Sequence, residues 1–200
     1  EAYGDGFDQK LVAAFGAKDA PDVMYMWDFP TYGSSLEDLN AYIEKDSSVD
    51  MKDFYEGLMN YVQLDGKTYG IPAGFTTHVI YFNKKLFDDA NVPYPTEEWT
   101  WEEFVEKAQK LSRPEEKVYG FGVLAKPDPY DFEQLLWSFG SSYISPDGKT
   151  LKGYMDSPES AAAAQLFADL VKNKAGVLVG SKDQQSGDDI FKAQKIAMWE

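Results

Sequence analysis

Cysteine is absent from this 200-residue chain, which excludes disulfides, thiolate catalysis and thiolate metal sites. Histidine occurs once, at His78. A Ser-His-Asp arrangement is confined to that residue, and no G-x-S-x-G elbow accompanies it; a strand histidine fits better than a catalytic base. Positive charge is scarce: 19 Lys and Arg stand against 34 Asp and Glu, for a net charge of −15. Such a field repels phosphate backbones and anionic lipid heads, so nucleic acid is not an expected partner. No apolar stretch approaches membrane-spanning length, and no signal peptide is visible at Glu1. The glycines of "YGFGV" lack the third Gly and the Lys of a phosphate loop. Asp128 and Asp131 around "DPYD" do not meet EF-hand spacing and suit helix capping instead. Neither a cofactor nor a metal is implied.

What is present is a chain that can fold around a core. Apolar residues make up 44%, and the length suits one domain or two small lobes. Phe7, Leu11, Ala14 and Phe15 recur at helical spacing. "APDVMYMW" reads as a buried strand. Ser35 with Asp38 resembles a capping box that opens a helix carrying Leu36, Leu39 and Ile43, and Phe54, Leu58 and Tyr61 suggest another helix. Asp65-Gly66 between extended residues signals a hairpin. "HVIYFN" reads as a strand, followed by a short helix over 84–90. Thr100 and Glu103 form a second capping box, ahead of the stripe Trp101, Phe104, Val105, Ala108 and Leu111. "VYGFGVLA" is a strand, and Phe132, Leu135, Leu136 and Phe139 mark a helix face. "SPDGK" is a turn. Ser157-Pro158 opens a long helix, and a short helix over 189–193 leads into the strand "KIAMW". Helices alternate with strands, which argues for α/β layers with mostly parallel strands.

Aromatic side chains carry the functional signal. The chain has 5 Trp, 13 Tyr and 13 Phe, and most belong to the core. Trp27, beside Asp28, sits at the expected strand end in "MWDFPTY", where open α/β sheets place their ligands. Tyr130 precedes a helix in which Trp137 lies roughly 100° or more from the apolar stripe. A flat ring next to Asp, Thr and Tyr matches a sugar: the C–H face packs on the ring, and the hydroxyls take fixed hydrogen bonds. The number of carboxylates is no evidence for hydrolysis, but the aromatics and carboxylates together leave a carbohydrate-active enzyme open, and the acidic balance leaves a non-sugar solute such as a polyamine or a peptide open.

"APDVMYMWD", "DGKTYGIPAGFTTHVIYFNKKLFDDANVPYPTEEWTWEEFVEKAQKL" and "FKAQKIAMWE" resemble extracellular solute-binding proteins of ABC importers, the family 1 sugar binders related to maltose-binding protein. The resemblance extends over the whole chain, which corresponds to about half of a family member. It implies the type II periplasmic-binding-protein-like fold, two α/β lobes here present as a partial chain. Residues 1–75 would belong to the N-terminal lobe and 76–200 to the C-terminal lobe, with a hinge crossing near 73–78. Pro72 limits freedom there, and Gly74 can absorb a φ change. The resemblance implies that a carbohydrate, an oligosaccharide by preference, is captured in the cleft between the lobes and delivered to the membrane permease without chemistry. Phe75 and Thr76 would face the cleft, Trp27 and Asp28 lie in a loop that touches sugar in relatives, and Tyr130 matches a stacking aromatic. Thr76 stands where maltose-binding protein has a carboxylate, so maltose itself is not implied. The location implied is extracytoplasmic, periplasmic or at the bacterial cell surface, with membrane contact only through a lipid anchor outside this segment.

Overall fold

The computed structural model describes residues 6–46, 48, 50–125, 129–180 and 186–200. The chain forms two compact units, Glu1–Thr77 and His78–Glu200.

The first unit is held by short elements. Helix α1 (Phe7–Ala17) buries Leu11 and ends where Lys18 turns left-handed, its N–H returning to Phe15 O. Two one-turn helices follow, α2 (Phe29–Tyr32) and α3 (Asn40–Ile43), then α4 (Glu56–Tyr61). Strands β1 (Gln63–Leu64) and β2 (Lys67–Thr68) form the expected hairpin. Asp65 and Gly66 both have positive φ, 52° and 77°, which is the backbone that a two-residue turn with right-handed strand twist requires.

Two expectations fail in this unit. Residues 20–27 form no strand, and Val23 and Tyr25 are exposed. A strand exists only where another backbone pairs with it, and β1·β2 is the pairing found among the described residues of the unit. Ser35 opens no helix either. It closes a 3-10 turn, and Asp38 Oδ1 instead accepts from Asn40 N–H at 3.1 Å.

The second unit is built on one sheet in the order β3-β6-β4-β5. Strand β3 (Tyr81–Phe82) runs antiparallel to β6 (Ile196–Trp199), while β6 and β5 (Gly176–Val179) both run parallel to β4 (Tyr119–Leu124). Ile196, Ala197 and Met198 are fully buried, as an unbroken apolar run in an interior strand should be. The stretch "HVIYFN" contributes only Tyr81 and Phe82 to the ladder. Strand β5 is the element that the sequence reading missed.

The helices of this unit are α5 (Lys84–Asp89), α6 (Trp101–Leu111), α7 (Pro129–Ser138), α8 (Pro158–Lys172) and α9 (Gly187–Lys192). Helix α6 begins at the expected capping box: Glu103 N–H donates to Thr100 Oγ1, and Thr100 N–H to Glu103 Oε2. Its Phe104, Ala108 and Leu111 are fully buried. At Gly120 of β4 a Cβ would lie 2.2 Å from Ala108 O, so glycine lets helix and strand backbones touch. Ser112 seals this approach: its hydroxyl accepts from Gly120 N–H at 2.8 Å and donates toward Ala108 O at 2.7 Å.

A side chain at residue 120 must push α6 off β4, because the obstructing atoms are backbone. Gly120→Ala is expected to destabilise the protein by about 3 kcal/mol, the upper range for overpacking. Urea unfolding measures this, and an unchanged midpoint contradicts the assignment.

Candidate functional site

In the second unit, β4 and β6 run parallel, so their carboxyl ends share one edge of the sheet. Because β3 is antiparallel, the residues entering it, His78 to Ile80, arrive at the same edge. Helix α7 follows β4 and turns its apolar face inward: Leu135 and Leu136 are buried, with Phe132 and Phe139 packed beside them. Tyr130, Gln134 and Trp137, at i, i+4 and i+7, share the opposite face. Tyr130 and Trp137 are each 59% exposed. The structure therefore brings together the two rings expected to contact ligand from this half of the chain. Asp128 lies outside the described residues.

Beside Tyr130 is a polar group that sequence reasoning did not assemble. The His78 ring lies 4.7 Å from the Tyr130 ring, centroid to centroid, and its Nδ1 is 2.7 Å from Glu200 Oε1. The same oxygen accepts from Gln134 Nε2 at 2.5 Å, and that amide also donates to Asp131 O at 2.8 Å. Gln134 Oε1 is buried, with no hydrogen-bond partner among the described residues. Burial is the main influence on Glu200 and pushes its carboxyl above its ordinary value; the charge and hydrogen bond of His78 oppose that, Asp131 reinforces it, and the Gln134 hydrogen bond opposes it. Next in the chain, Trp199 is seated between glycines. A Cβ on Gly187 would lie 2.2 Å from its indole, and one on Gly122 2.8 Å. Trp199 Nε1 donates to Asp188 Oδ1 at 2.9 Å.

In the first unit, the Trp27 ring packs on Phe7 at 5.5 Å, and Trp27 O accepts from Tyr61 Oη at 2.7 Å. Asp28 caps α2 by accepting from Thr31 N–H at 3.2 Å. Phe75 is 65% exposed and meets Tyr55, itself exposed, edge-on at 5.8 Å. Thr76 is exposed. Tyr55 went unnoticed in the sequence; its pairing with Phe75 has no local signature.

A hollow of about 590 Å³ lies in the second unit, lined by Trp99, Thr100, Trp101, Glu102, Ser138 and Phe139 among others. Its tryptophans are partly buried: both pack edge-on against buried Phe104, and Trp101 Nε1 donates to Ser138 Oγ at 2.8 Å. Among the described residues, no group of three or more His, Asp or Glu is placed to hold a metal ion, and no helix is long and apolar enough to cross a membrane.

The sequence pattern of the bacterial extracellular solute-binding protein family matches residues 1–200. The chain belongs to that family. Among relatives of this solute-binding family, an arabinooligosaccharide-binding protein of Halalkalibacterium halodurans is 28% identical over 118 residues, covering 59% of this chain and 25% of that protein. An ABC substrate-binding protein of Listeria monocytogenes, solved with cycloalternan, superposes with a TM-score of 0.81 at 30% identity, covering 99% of this chain and 51% of that one. The GacH receptor of Streptomyces glaucescens, solved with and without acarbose, gives a TM-score of 0.75 at 25% identity, covering 99% and 50%. The chain thus spans about half of the solved relatives and a smaller share of the curated one. The fold is the type II periplasmic-binding-protein-like α/β class. The family is one of extracellular binding proteins.

Glu200 gives this solute-binding chain a pH signature. A carboxyl raised by folding contributes most below its ordinary value of 4.5, and that contribution is lost as pH rises through the raised value. Glu200→Gln is uncharged throughout. It should therefore stabilise the protein more at about pH 8 than at about pH 4. Melting temperatures at both values check this, and a larger gain at the acid end contradicts it.

Proposed function

We propose that the chain is part of the substrate-binding component of an ABC importer, that it captures a carbohydrate, an oligosaccharide by preference, and that it hands the sugar to the membrane permease without chemical change. The observation that carries the reading is the outer face of α7. Tyr130 and Trp137 stand on it about 10 Å apart along the axis, at the carboxyl edge of the sheet where open α/β folds bind ligands. That spacing exceeds one sugar ring and suits a chain of them. Exposed rings offer C–H packing surface, and the neighbouring Glu200, Gln134 and His78 offer hydrogen bonds.

Within this proposal, Trp27, Asp28, Phe75 and Thr76 are the ligand-contacting residues of the first unit, and residues 73–78 are the hinge crossing. Relatives that carry arabinooligosaccharide, cycloalternan or acarbose in their names or structures support the substrate class. The protein acts outside the cytoplasm, as a periplasmic or surface-anchored lipoprotein, and releases no reducing ends from polysaccharide.

The test is a titration of intrinsic tryptophan fluorescence with arabinotriose, maltotriose and cycloalternan. At least one sugar should change the signal saturably. Trp137→Ala should weaken that sugar roughly tenfold, about 1.4 kcal/mol. If no sugar changes the fluorescence or the melting temperature, the carbohydrate reading fails.

A further inference from the structure

The polar group at the sheet edge is built for acceptance. Oε1 of Glu200 is filled twice, by the imidazole of His78 and the amide of Gln134, while no hydrogen bond to Oε2 is found among the described residues. Gln134 cannot turn its amide over. Its Nε2 faces two acceptors, Asp131 O and Glu200 Oε1, and an oxygen in that place would be repelled by both. Its Oε1 is therefore fixed as a buried acceptor with no donor among the described residues. Neither residue is a surface carboxylate or amide of the solvated kind. The Glu200 and His78 side chains are 23% and 28% exposed, and the Tyr130 ring lies against the imidazole.

We infer that Glu200, with His78 and Gln134 both bonded to its Oε1, is the specificity-determining polar residue of the site: its Oε2 accepts a hydrogen bond from a ligand hydroxyl beside the ring of Tyr130. This rests on the carbohydrate reading above and adds to it which hydrogen bonds choose among sugars. The polar group contains acceptors and one imidazole, so it selects ligands that present donors. Hydroxyls of a neutral sugar and the ammonium of an amino sugar share that chemistry. The net charge separates them, because an ammonium gains from the carboxylate and loses when Glu200 is neutralised, far more than a hydroxyl does. His78 acts as a positioning residue: with the carboxylate ionised, its Nδ1–H holds Oε1 and leaves Oε2 for the ligand.

His78 is the one histidine of this sequence, and a His78→Gln variant identifies its imidazole signals in an NMR spectrum by their loss. The sugar among arabinotriose, maltotriose and cycloalternan that binds tightest is titrated by calorimetry into the wild type and into Glu200→Gln, Gln134→Ala and Trp137→Ala, with glucosamine as the cationic arm. Glu200→Gln and Gln134→Ala should each weaken the neutral sugar on the order of tenfold, and the sugar should shift the His78 signals in the wild type. Unchanged affinity in both variants, or a binding sugar that leaves the His78 signals in place, overturns the inference; loss in Trp137→Ala alone would then leave the carbohydrate reading standing. Saturable binding of glucosamine that exceeds every neutral sugar and collapses in Glu200→Gln overturns the neutral-hydroxyl assignment. A wild type that binds no member of the panel removes the parent reading and this one together.

Discussion

The contact on which the second unit depends is the touching of two backbones at Gly120. With no Cβ there, α6 comes down onto β4 until its Ala108 carbonyl lies in van der Waals range of the strand. Ser112 then ties both backbones through one hydroxyl. The same hydroxyl lies 3.1 Å from Ala175 O, directly before β5. Three elements are thus registered at one point, and β4 is the strand that pairs with both β5 and β6. The positions of Glu200, at the end of β6, and of α7, which follows β4, depend on that register.

From this frame the division of labour in the site is simple. Helix α7 has one face that the core consumes and one that it leaves out, and the left-out face carries Tyr130, Gln134 and Trp137. Sugars need both apolar surface and hydrogen bonds that are already oriented. In the proposed function the rings would supply the first. The second requires side chains that cannot reorient freely, and partial burial among His78, Gln134 and Glu200 supplies that restraint. The slot formed by Gly122 and Gly187 around Trp199 fixes the strand end from which Glu200 projects. In the first unit the candidate residues divide differently: Asp28 spends its carboxylate on a helix cap, whereas Phe75 and Thr76 stay exposed.

What was legible in the sequence was local. The Asp65-Gly66 turn and the Thr100/Glu103 box appear where they were read, because each depends on residues two or three apart. Trp137 was placed off the apolar stripe by helix geometry alone, and it is exposed. Partnerships were not legible. Residues 20–27 have strand composition but no ladder partner among the described residues, and composition does not supply one. Strand β5 was hidden because four residues, "GVLV", follow α8 after a left-handed Lys174 and carry no alternation. His78 and Glu200 meet only because β3 and β6 are antiparallel neighbours, so the carboxylate and the amide that complete the candidate site left no trace in spacing. The family resemblance reached further than the local reading because it rests on the order of many short motifs.

In the proposed function, sugar packs on the outer face of α7 at the carboxyl edge of the sheet. A crystal structure of the protein with bound oligosaccharide tests it most directly. A sugar C–H face should lie against the Tyr130 and Trp137 rings, with a hydroxyl within hydrogen-bond distance of Glu200. Density for the sugar in the hollow of Trp99 and Trp101, with the α7 face left bare, would contradict it.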